Sequence, residues 1–285
     1  MKYLTVILAL ALIGLIGNAQ QHKETINKEI DFTNTSKSVF MVENIFGDIK
    51  VEGYNGNKVI LEVEKEFSAD TKNELEEALK KVFLAVDSSH DTVDIYLDGI
   101  CGCNRGKSRN NKLNQCNFKY NYDFNIKVPR AVKINISTVN NGELNIQDIT
   151  GEVVARNVNG GIKIENISGP TNVHTINGNV EVHYAKNPLK NSSYYSLNGD
   201  VNVFYYAGLS AEMRFKSFQG EMFTNFMFTN FDITERLPPV LSTTCSKNKN
   251  KTTYRIENKS AVRVGKGGVI LDFETFNGDV YVRKI

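Results

Sequence analysis

Apolar and polar residues alternate with period two through the middle of the chain, and glycine resets the alternation at fixed intervals. Gly142, Gly151, Gly160, Gly169 and Gly178 stand nine residues apart. Between them the chain repeats Gly-x-Φ-x-Φ-x-x-Φ-(Asn/Ser/Thr), where Φ is apolar or β-branched. The first copy fills the pattern with Leu144, Ile146, Ile149 and Thr150, and the second with Val153, Ala155, Val158 and Asn159. The third uses Ile162, Ile164, Ile167 and Ser168, and the fourth Thr171, Val173, Ile176 and Asn177.

The residue before glycine alternates in kind, with Asn141, Asn159 and Asn177 in one series and Thr150 and Ser168 in the other. The true unit is therefore eighteen residues with two unlike corners. The series continues at Asn198-Gly199 and Gln219-Gly220, stretched to twenty-one residues around Asn187-Pro188-Leu189 and after Gly208. Echoes stand at Phe46-Gly47-Asp48-Ile49 and Asn277-Gly278-Asp279-Val280.

One such coil cannot bury its own apolar face, whereas stacked coils share a core and pair their backbones along the stack. The pattern thus predicts an all-β chain organised as a parallel β-solenoid (β-helix) of 18–21-residue coils. Ile162 and Ile164 point inward and Lys163 and Glu165 outward, the signature of a strand. At the corners, glycine takes a conformation that other residues avoid. Asn141-Gly142, Asn159-Gly160, Asn177-Gly178 and Asn198-Gly199 form a turn ladder, each amide bonding to its equivalent one coil along. The competing structure is an antiparallel meander with Asn-Gly hairpins. It pairs Asn157 with Ile162 and puts a polar side chain on the apolar face, a conflict the solenoid avoids.

Before the repeats, strand-like runs at Val39 to Val42, Ile49 to Val51, Val59 to Val63 and Val93 to Leu97 surround one helix at about residues 70–85. Leu75, Ala78, Leu79, Val82 and Phe83 share a face of that helix, and Thr71 with Glu74 forms a capping box. Residues 20–128 read as a β-rich region that caps the open end of the solenoid, because exposed strand edges invite aggregation. It carries a polar, cysteine-bearing insertion at 98–117. Residues 129–285 form the repeat domain. Within it Glu221 to Phe231 departs from the repeat, 235–252 is a loop around Pro238-Pro239, and Arg255 to Ile285 returns to strands.

The first nineteen residues have a charged start, an apolar run from Leu4 to Ile16 and a small residue before Gln20, as a cleaved signal peptide does. That run is shorter than the roughly 20 residues that cross a bilayer. No later stretch has spanning length, so the mature chain is expected to have no transmembrane segment and to act in the periplasm, on the outer surface or outside the cell. Loss of Lys2 lowers the formal charge from +2 to +1, too little to steer the molecule to nucleic acid. Basic stretches at Arg105 to Lys112 and Lys247 to Lys251 read as solvated loops.

Cys101, Cys103, Cys116 and Cys245 are an even number in an exported chain, which favours disulfides, with three connectivities open. A thiolate metal site and free thiols are the alternatives, although Cys101-Gly102-Cys103 lacks the usual zinc-knuckle spacing.

No catalytic set emerges. His174 and His183 lie half a coil apart, on opposite walls, and cannot share a metal. His183 stands one coil from Glu165, and Lys163 one coil from Glu181, so outward ladders of opposite charge account for them. The single glycine per unit, with no recurring aspartate, does not match calcium-binding β-rolls. No metalloprotease, nucleophile-elbow or phosphate-loop motif occurs, and Gly265-Lys266-Gly267-Gly268 is a turn. Neither a cofactor nor a metal is implied. Tyr194-Tyr195 and Phe204-Tyr205-Tyr206 lie where the coils lengthen. Phe204, five residues after Gly199, points outward beside His183. Tyr194, Tyr195, Phe204 and Tyr206 are therefore the candidate binding surface, with filling of the larger coils as the competing account.

The run Tyr122-Asp123-Phe124-Asn125-Ile126-Lys127-Val128-Pro129, then Ser137-Thr138-Val139-Asn140-Asn141-Gly142, Asn157-Val158-Asn159-Gly160-Gly161-Ile162 and Thr175-Ile176-Asn177-Gly178, resembles a bacterial putative-adhesin family. This is a domain of unknown function common in exported proteins of the Bacteroidetes. The ending Thr275-Phe276-Asn277-Gly278-Asp279-Val280-Tyr281-Val282 looks like that family's terminal repeat. The resemblance covers roughly residues 120–285. It implies a right-handed parallel β-solenoid with a cell-envelope or surface role, and it supplies no catalytic residues. The expectation is a non-enzymatic adhesin or scaffold with a protein or glycan ligand at the envelope. The alternative is a polysaccharide lyase or hydrolase on the same scaffold.

Overall fold

The computed structural model describes residues 20–32, 37–89, 91–99, 117–230, 242–244, 253–256 and 260–285. The signal-peptide expectation at 1–19, all four cysteines and both basic stretches lie outside them. No helix among the described residues is long and apolar enough to cross a membrane.

The described residues are mostly β, with one helix. The first part of the chain contains β1 (Gln20–Asp31), β2 (Val39–Glu43), β3 (Ile49–Tyr54), β4 (Lys58–Ala69), α1 (Lys72–Lys81), β5 (Phe83–Ser88), β6 (Thr92–Asp98) and β7 (Phe118–Pro129). The repeats form β8 (Lys133–Ser137), β9 (Leu144–Gln147), β10 (Val153–Arg156), β11 (Ile162–Ile167), β12 (Thr171–Asn177) and β13 (Val180–Tyr184). The longer units supply β14 (Ser192–Asn198), β15 (Val201–Tyr205), β16 (Ala211–Ser217) and β17 (Met222–Thr224). The last part holds β18 (Phe228–Asn230), β19 (Ser242–Thr244), β20 (Thr253–Ile256), β21 (Ser260–Val264), β22 (Val269–Asn277) and β23 (Val280–Lys284).

Two large open sheets result. Sheet A runs β1-β4-β7-β3-β9-β11-β13-β15-β23-β17-β20-β19, and sheet B runs β18-β21-β16-β22-β14-β12-β10-β8-β2-β6-β5. Through the repeats the chain alternates between them, one strand in B and the next in A, and we call each such pair a rung. Every repeat strand pairs in parallel with its equivalent in the next rung, as Ile162 does with Leu144 on one side and Val180 on the other. Strands β10 and β11 lie in different sheets, so Asn159-Gly160 does not close a hairpin. Neither sheet is parallel throughout: β1 with β4, β4 with β7, β5 with β6 and the pairs made by β20 and β21 are antiparallel.

Inward positions of both sheets join one buried apolar cluster, with Ile162, Ile164, Val180, Val182, Val201 and Val203 essentially inaccessible. Helix α1 packs on β4 through Leu75 and Ala78, and its expected capping box is present. Thr71 Oγ1 accepts from the Glu74 N–H at 3.3 Å, and the Glu74 carboxylate accepts from the Thr71 N–H at 3.1 Å.

Chain order and stacking order disagree at both ends. Strands β2 and β3 lie between the β6/β7 rung and the β8/β9 rung. Strands β22 and β23 lie between β14/β15 and β16/β17. The echoes around Gly47 and Gly278 are thus full rungs inserted out of order.

Candidate functional site

Three ladders build the Asn-Gly corner, and they define the outer surface next to it. Outermost is the asparagine ladder. Asn159 donates to Asn140 at 2.8 Å, Asn177 to Asn159 at 2.7 Å, Asn198 to Asn177 at 2.8 Å and Asn277 to Asn198 at 2.8 Å. The first rung corrects the sequence reading, because Asn140 stands in the ladder while Asn141 is an extra residue in the left-handed region (φ 53°).

Next comes glycine. A Cβ on Gly160, Gly178 or Gly199 would fall 2.0–2.1 Å from the carbonyl oxygen of the preceding corner glycine. Close approach of backbones therefore excludes a side chain here. The expected positive φ applies at Gly199 and Gly278 but not at Gly142, Gly160 or Gly178.

Innermost is a ladder that the repeat pattern did not reveal. Thr138, Thr175, Ser196 and Thr275 are buried, and their hydroxyls donate to the carbonyls of Gly47, Gly160, Gly178 and Gly199. Asn157 holds the equivalent place. It is only 3% exposed, which corrects the expectation that the parallel stack keeps it out of the interior. Its amide donates to Gly142 O at 2.8 Å and its Oδ1 accepts from the Val158 N–H at 2.8 Å, so the buried group is satisfied. The signal was present as (Thr/Ser/Asn)-x-Asn-Gly.

The four candidate aromatic residues are not brought together. Tyr194 is buried and drops out of the surface: its hydroxyl meets those of Tyr184 at 2.6 Å and Tyr205 at 2.9 Å. Burial holds the phenols of Tyr194 and Tyr205 well above their ordinary range, so this internal cluster stays neutral. Tyr195 lies on the outer face of sheet B with its ring 4.3 Å from that of His174. Burial, then Arg156, lowers the His174 pKa. Tyr206 is exposed past the end of β15, exchanging two hydrogen bonds with Asn187.

Phe204 is on the outer face of sheet A beside His183, with the two rings stacked at 4.0 Å. Arg283 lies 5.4 Å from the Phe204 ring and 5.0 Å from that of Tyr281, which in turn stacks on Phe223 at 5.1 Å. Tyr281, Arg283 and Phe223 were legible by counting three or five residues from Gly278 and Gly220. The rings in this row stand against one another, so Phe204 does not offer a free face for a sugar to stack on. The charged residues nearby pair within strands, Lys163 with Glu165 at 3.1 Å and His183 with Glu181 at 3.0 Å. These contacts within strands replace the expected pairing across rungs, although Lys163 and Glu181 are register partners; the register shift falls beyond them, between Ile164 and Ile167. Farther along the same face, Lys50, Glu52, Glu62, Lys127, Lys163 and Glu165 line an open groove of about 330 Å³.

Sheet B presents a different edge. The residue between the innermost and outermost ladder positions is Ile45, Val139, Val158, Ile176, Leu197, Phe276 or Phe218 along the stack. The carbonyls of Ile45, Val139, Val158 and Phe276 accept from the next rung, which fixes the spacing. All seven are half-buried or exposed, reaching 41% exposure at Phe276 and 65% at Phe218, whose rings stack at 4.6 Å. Val158 and Ile176 occupy the same apolar position of the repeat as Ile149 and Ile167. Only the latter pair is inside, because Asp148 and Asn166 directly before them take positive φ (64° and 54°) and reset the alternation, which runs on unbroken to Val158. Six spacings of ~4.8 Å make this apolar row about 30 Å long, with the amide ladder along one flank.

Such an edge offers apolar contact and a regular array of amides, and no group for acid, base or nucleophile chemistry. Among the described residues, no cluster of three or more His, Cys, Asp or Glu is placed to hold a metal ion.

No family model matches the chain, and no curated protein matches it. Among solved structures it is similar to one described as a putative cell adhesion protein from Clostridium sporogenes, at 13% identity and TM-score 0.45 over 93% of this chain and 100% of that one. A putative adhesin from Bacteroides fragilis gives 12% identity and TM-score 0.39 over 92% and 97%. A putative lipid binding protein from Parabacteroides distasonis gives 10% and 0.29 over 94% and 98%. Likeness of this size carries no argument about what the chain binds.

Proposed function

We propose that the protein is a non-enzymatic cell-envelope or surface protein, an adhesin or scaffold whose stacked rungs form a right-handed parallel β-solenoid. Export by a leader at 1–19 delivers it to the periplasm, the outer surface or the exterior. Residues 20–128 cap one end of the stack and contribute its β2/β3 rung with Ile45, and 129–285 carry the rest of the binding surface. The ligand, an envelope protein or glycan, lies along the apolar row of sheet B.

The observation that carries this reading is the row itself. Five of its apolar side chains are half-buried, and the row ends in the exposed, stacked rings of Phe276 and Phe218. A contiguous exposed apolar patch is a mark of an interaction site, whereas the rings around Phe204 cover one another.

The test is a binding screen of the chain from Gln20 onward against peptidoglycan, matrix proteins and a glycan array, with released sugars assayed in parallel. Saturable binding without product supports the reading. Joint replacement Phe218→Ala and Phe276→Ala then weakens it by about tenfold or more, as loss of an aromatic anchor does, while Phe204→Ala changes it less than about twofold. Product formation overturns the reading and turns attention to the carboxylates of the sheet A groove. Absence of binding to every surface tested also overturns it.

A further inference from the structure

Strands β22 and β23 fill a slot that the preceding chain leaves open. Without them β14 and β16 have no partner between them, nor have β15 and β17, and the gap on each sheet is two strand spacings, about 9.6 Å. The C-terminal segment extends the amide and hydroxyl ladders from β14/β15, with Asn277 donating to Asn198 at 2.8 Å and Thr275 to Gly199 O at 3.3 Å, and the Gln219 N–H donates to Phe276 O at 2.9 Å on the other side. Gly278 stacks between Gly199 and Gly220. Asp279 donates its N–H to Asp200 Oδ1 at 2.8 Å and accepts from the Glu221 N–H at 2.8 Å. In the core, the Phe273 ring stacks between Tyr194 at 5.1 Å and Phe215 at 5.2 Å. The slot therefore recognises one sequence pattern along two strands, on both edges at once.

What connects this segment to the rest is built as a hinge. Strand β21 pairs antiparallel with β16 on the side away from β22, so the chain crosses β16 in Gly265-Lys266-Gly267-Gly268. Gly265, Gly267 and Gly268 all have positive φ, at 60°, 74° and 129°. The crossing is latched by Ser210, whose hydroxyl donates to Gly267 O at 2.9 Å and accepts from the Lys266 N–H at 2.8 Å. The other out-of-order rung, β2/β3, runs into β4 through residues 55–57, where Gly56 is not at positive φ, so it has no comparable glycine crossing.

We infer that Val269–Ile285 is an exchangeable strand pair, and that its slot takes the same segment from a second copy of this chain. Exchange of an identical element reuses every contact of the monomer, so its cost is confined to the hinge. Reciprocal exchange closes a dimer, and one-way exchange propagates a linear assembly. This inference stands apart from the ligand reading above, which it neither needs nor supports.

The experiment uses two full-length populations. One carries Lys216→Cys and the other, isotopically labelled, carries Glu274→Cys. These positions are cross-strand partners that form an ion pair on the outer face of sheet B. A chain with both substitutions verifies that the geometry permits a disulfide. After concentrated co-incubation under mild oxidation, the expected result is a peptide linked between positions 216 and 274 that joins a labelled to an unlabelled chain. A dimer or larger species appears with it on size exclusion, and Ser210→Ala increases its yield several-fold by releasing the latch. The inference is overturned if the 216–274 link forms only within the doubly substituted chain. It is equally overturned if mixed links are no more frequent than 216–216 links formed by the first population alone.

Discussion

The two corners of a rung are built from the same kind of residue and behave differently along the stack. At the Asn-Gly corner, glycine recurs at Gly47, Gly142, Gly160, Gly178, Gly199, Gly278 and Gly220, and all but the first approach a corner-glycine carbonyl within 1.6–2.2 Å of where a Cβ would stand. At the opposite corner, Gly151 and Gly169 are packed as tightly, Gly169 against Gly151 O at 1.8 Å. That corner then opens: Leu189 is 91% exposed and Gly208 has no atom within 4 Å of a virtual Cβ. One corner fixes register in every rung, and the other absorbs changes in length. The jump from eighteen to twenty-one residues per unit is therefore accommodated without interrupting the asparagine, hydroxyl or glycine ladders.

The largest break should come from adding one methyl group at the fixed corner. Gly178→Ala places a Cβ 2.1 Å from Gly160 O. The obstacle is backbone held by the neighbouring rung, so relief requires the rungs to move apart. We expect a loss of about 3 kcal/mol or more, at the upper end of overpacking costs, measured as a shift in urea midpoint.

Asn157→Ala should follow. The buried amide joins the Gly142 carbonyl to the Val158 N–H, and its removal leaves both without their partner. The cost of unsatisfied buried groups puts the loss at about 2 kcal/mol. A change below about 0.5 kcal/mol would show that water satisfies the corner, and would remove the inner ladder as a source of register.

Much of this comparison is legible in the sequence, and the rest is hidden for physical reasons. Nine-residue glycine spacing identifies the rungs from Gly142 to Gly178, because only close backbone approach needs that residue so regularly. The direction of the fourth apolar position is not legible from its chemistry. Val158 and Ile167 are interchangeable in hydropathy, and the positive φ of Asn166 directly before Ile167 decides which is inside. The motif Asn277-Gly278-Asp279-Val280 identifies a rung but not its place, since pairing depends on matching ladders and not on chain order. Phe204 is correctly placed outward by its distance from Gly199. That its neighbours His183 and Arg283 cover it depends on which rung lies next, and the next rung comes from the far end of the chain. The innermost hydroxyl ladder alternates Thr, Ser and Asn, so identity varies while hydrogen-bonding capacity is retained.

Smaller effects separate the outer ladder from the inner one. Asn177 both donates to Asn159 and accepts from Asn198, yet its side chain is exposed and water replaces what is lost. Asn177→Ala should cost about 1 kcal/mol, half the expected effect at Asn157. Equal effects at the two positions would mean that the amide ladder is not solvated as its exposure indicates.

The open corner should tolerate both length and volume. A three-residue insertion between Leu189 and Lys190 lengthens a connection already on the surface, and loop closure should make it cost less than about 0.6 kcal/mol. Gly208→Ala should have the smallest effect of all. Nothing lies within 4 Å of the added methyl, and Gly208 is not among the glycines at positive φ, so neither clash nor backbone strain opposes it. Replacing glycine also reduces the freedom of the unfolded chain, and the variant should be neutral or more stable by up to about 1 kcal/mol. Thermal and urea unfolding of Gly208→Ala beside Gly178→Ala makes the decisive pair, because the same chemical change is applied to each corner. If Gly208→Ala is destabilised as much as Gly178→Ala, intolerance belongs to glycine wherever it occurs, and the division into a register-setting corner and a permissive one fails.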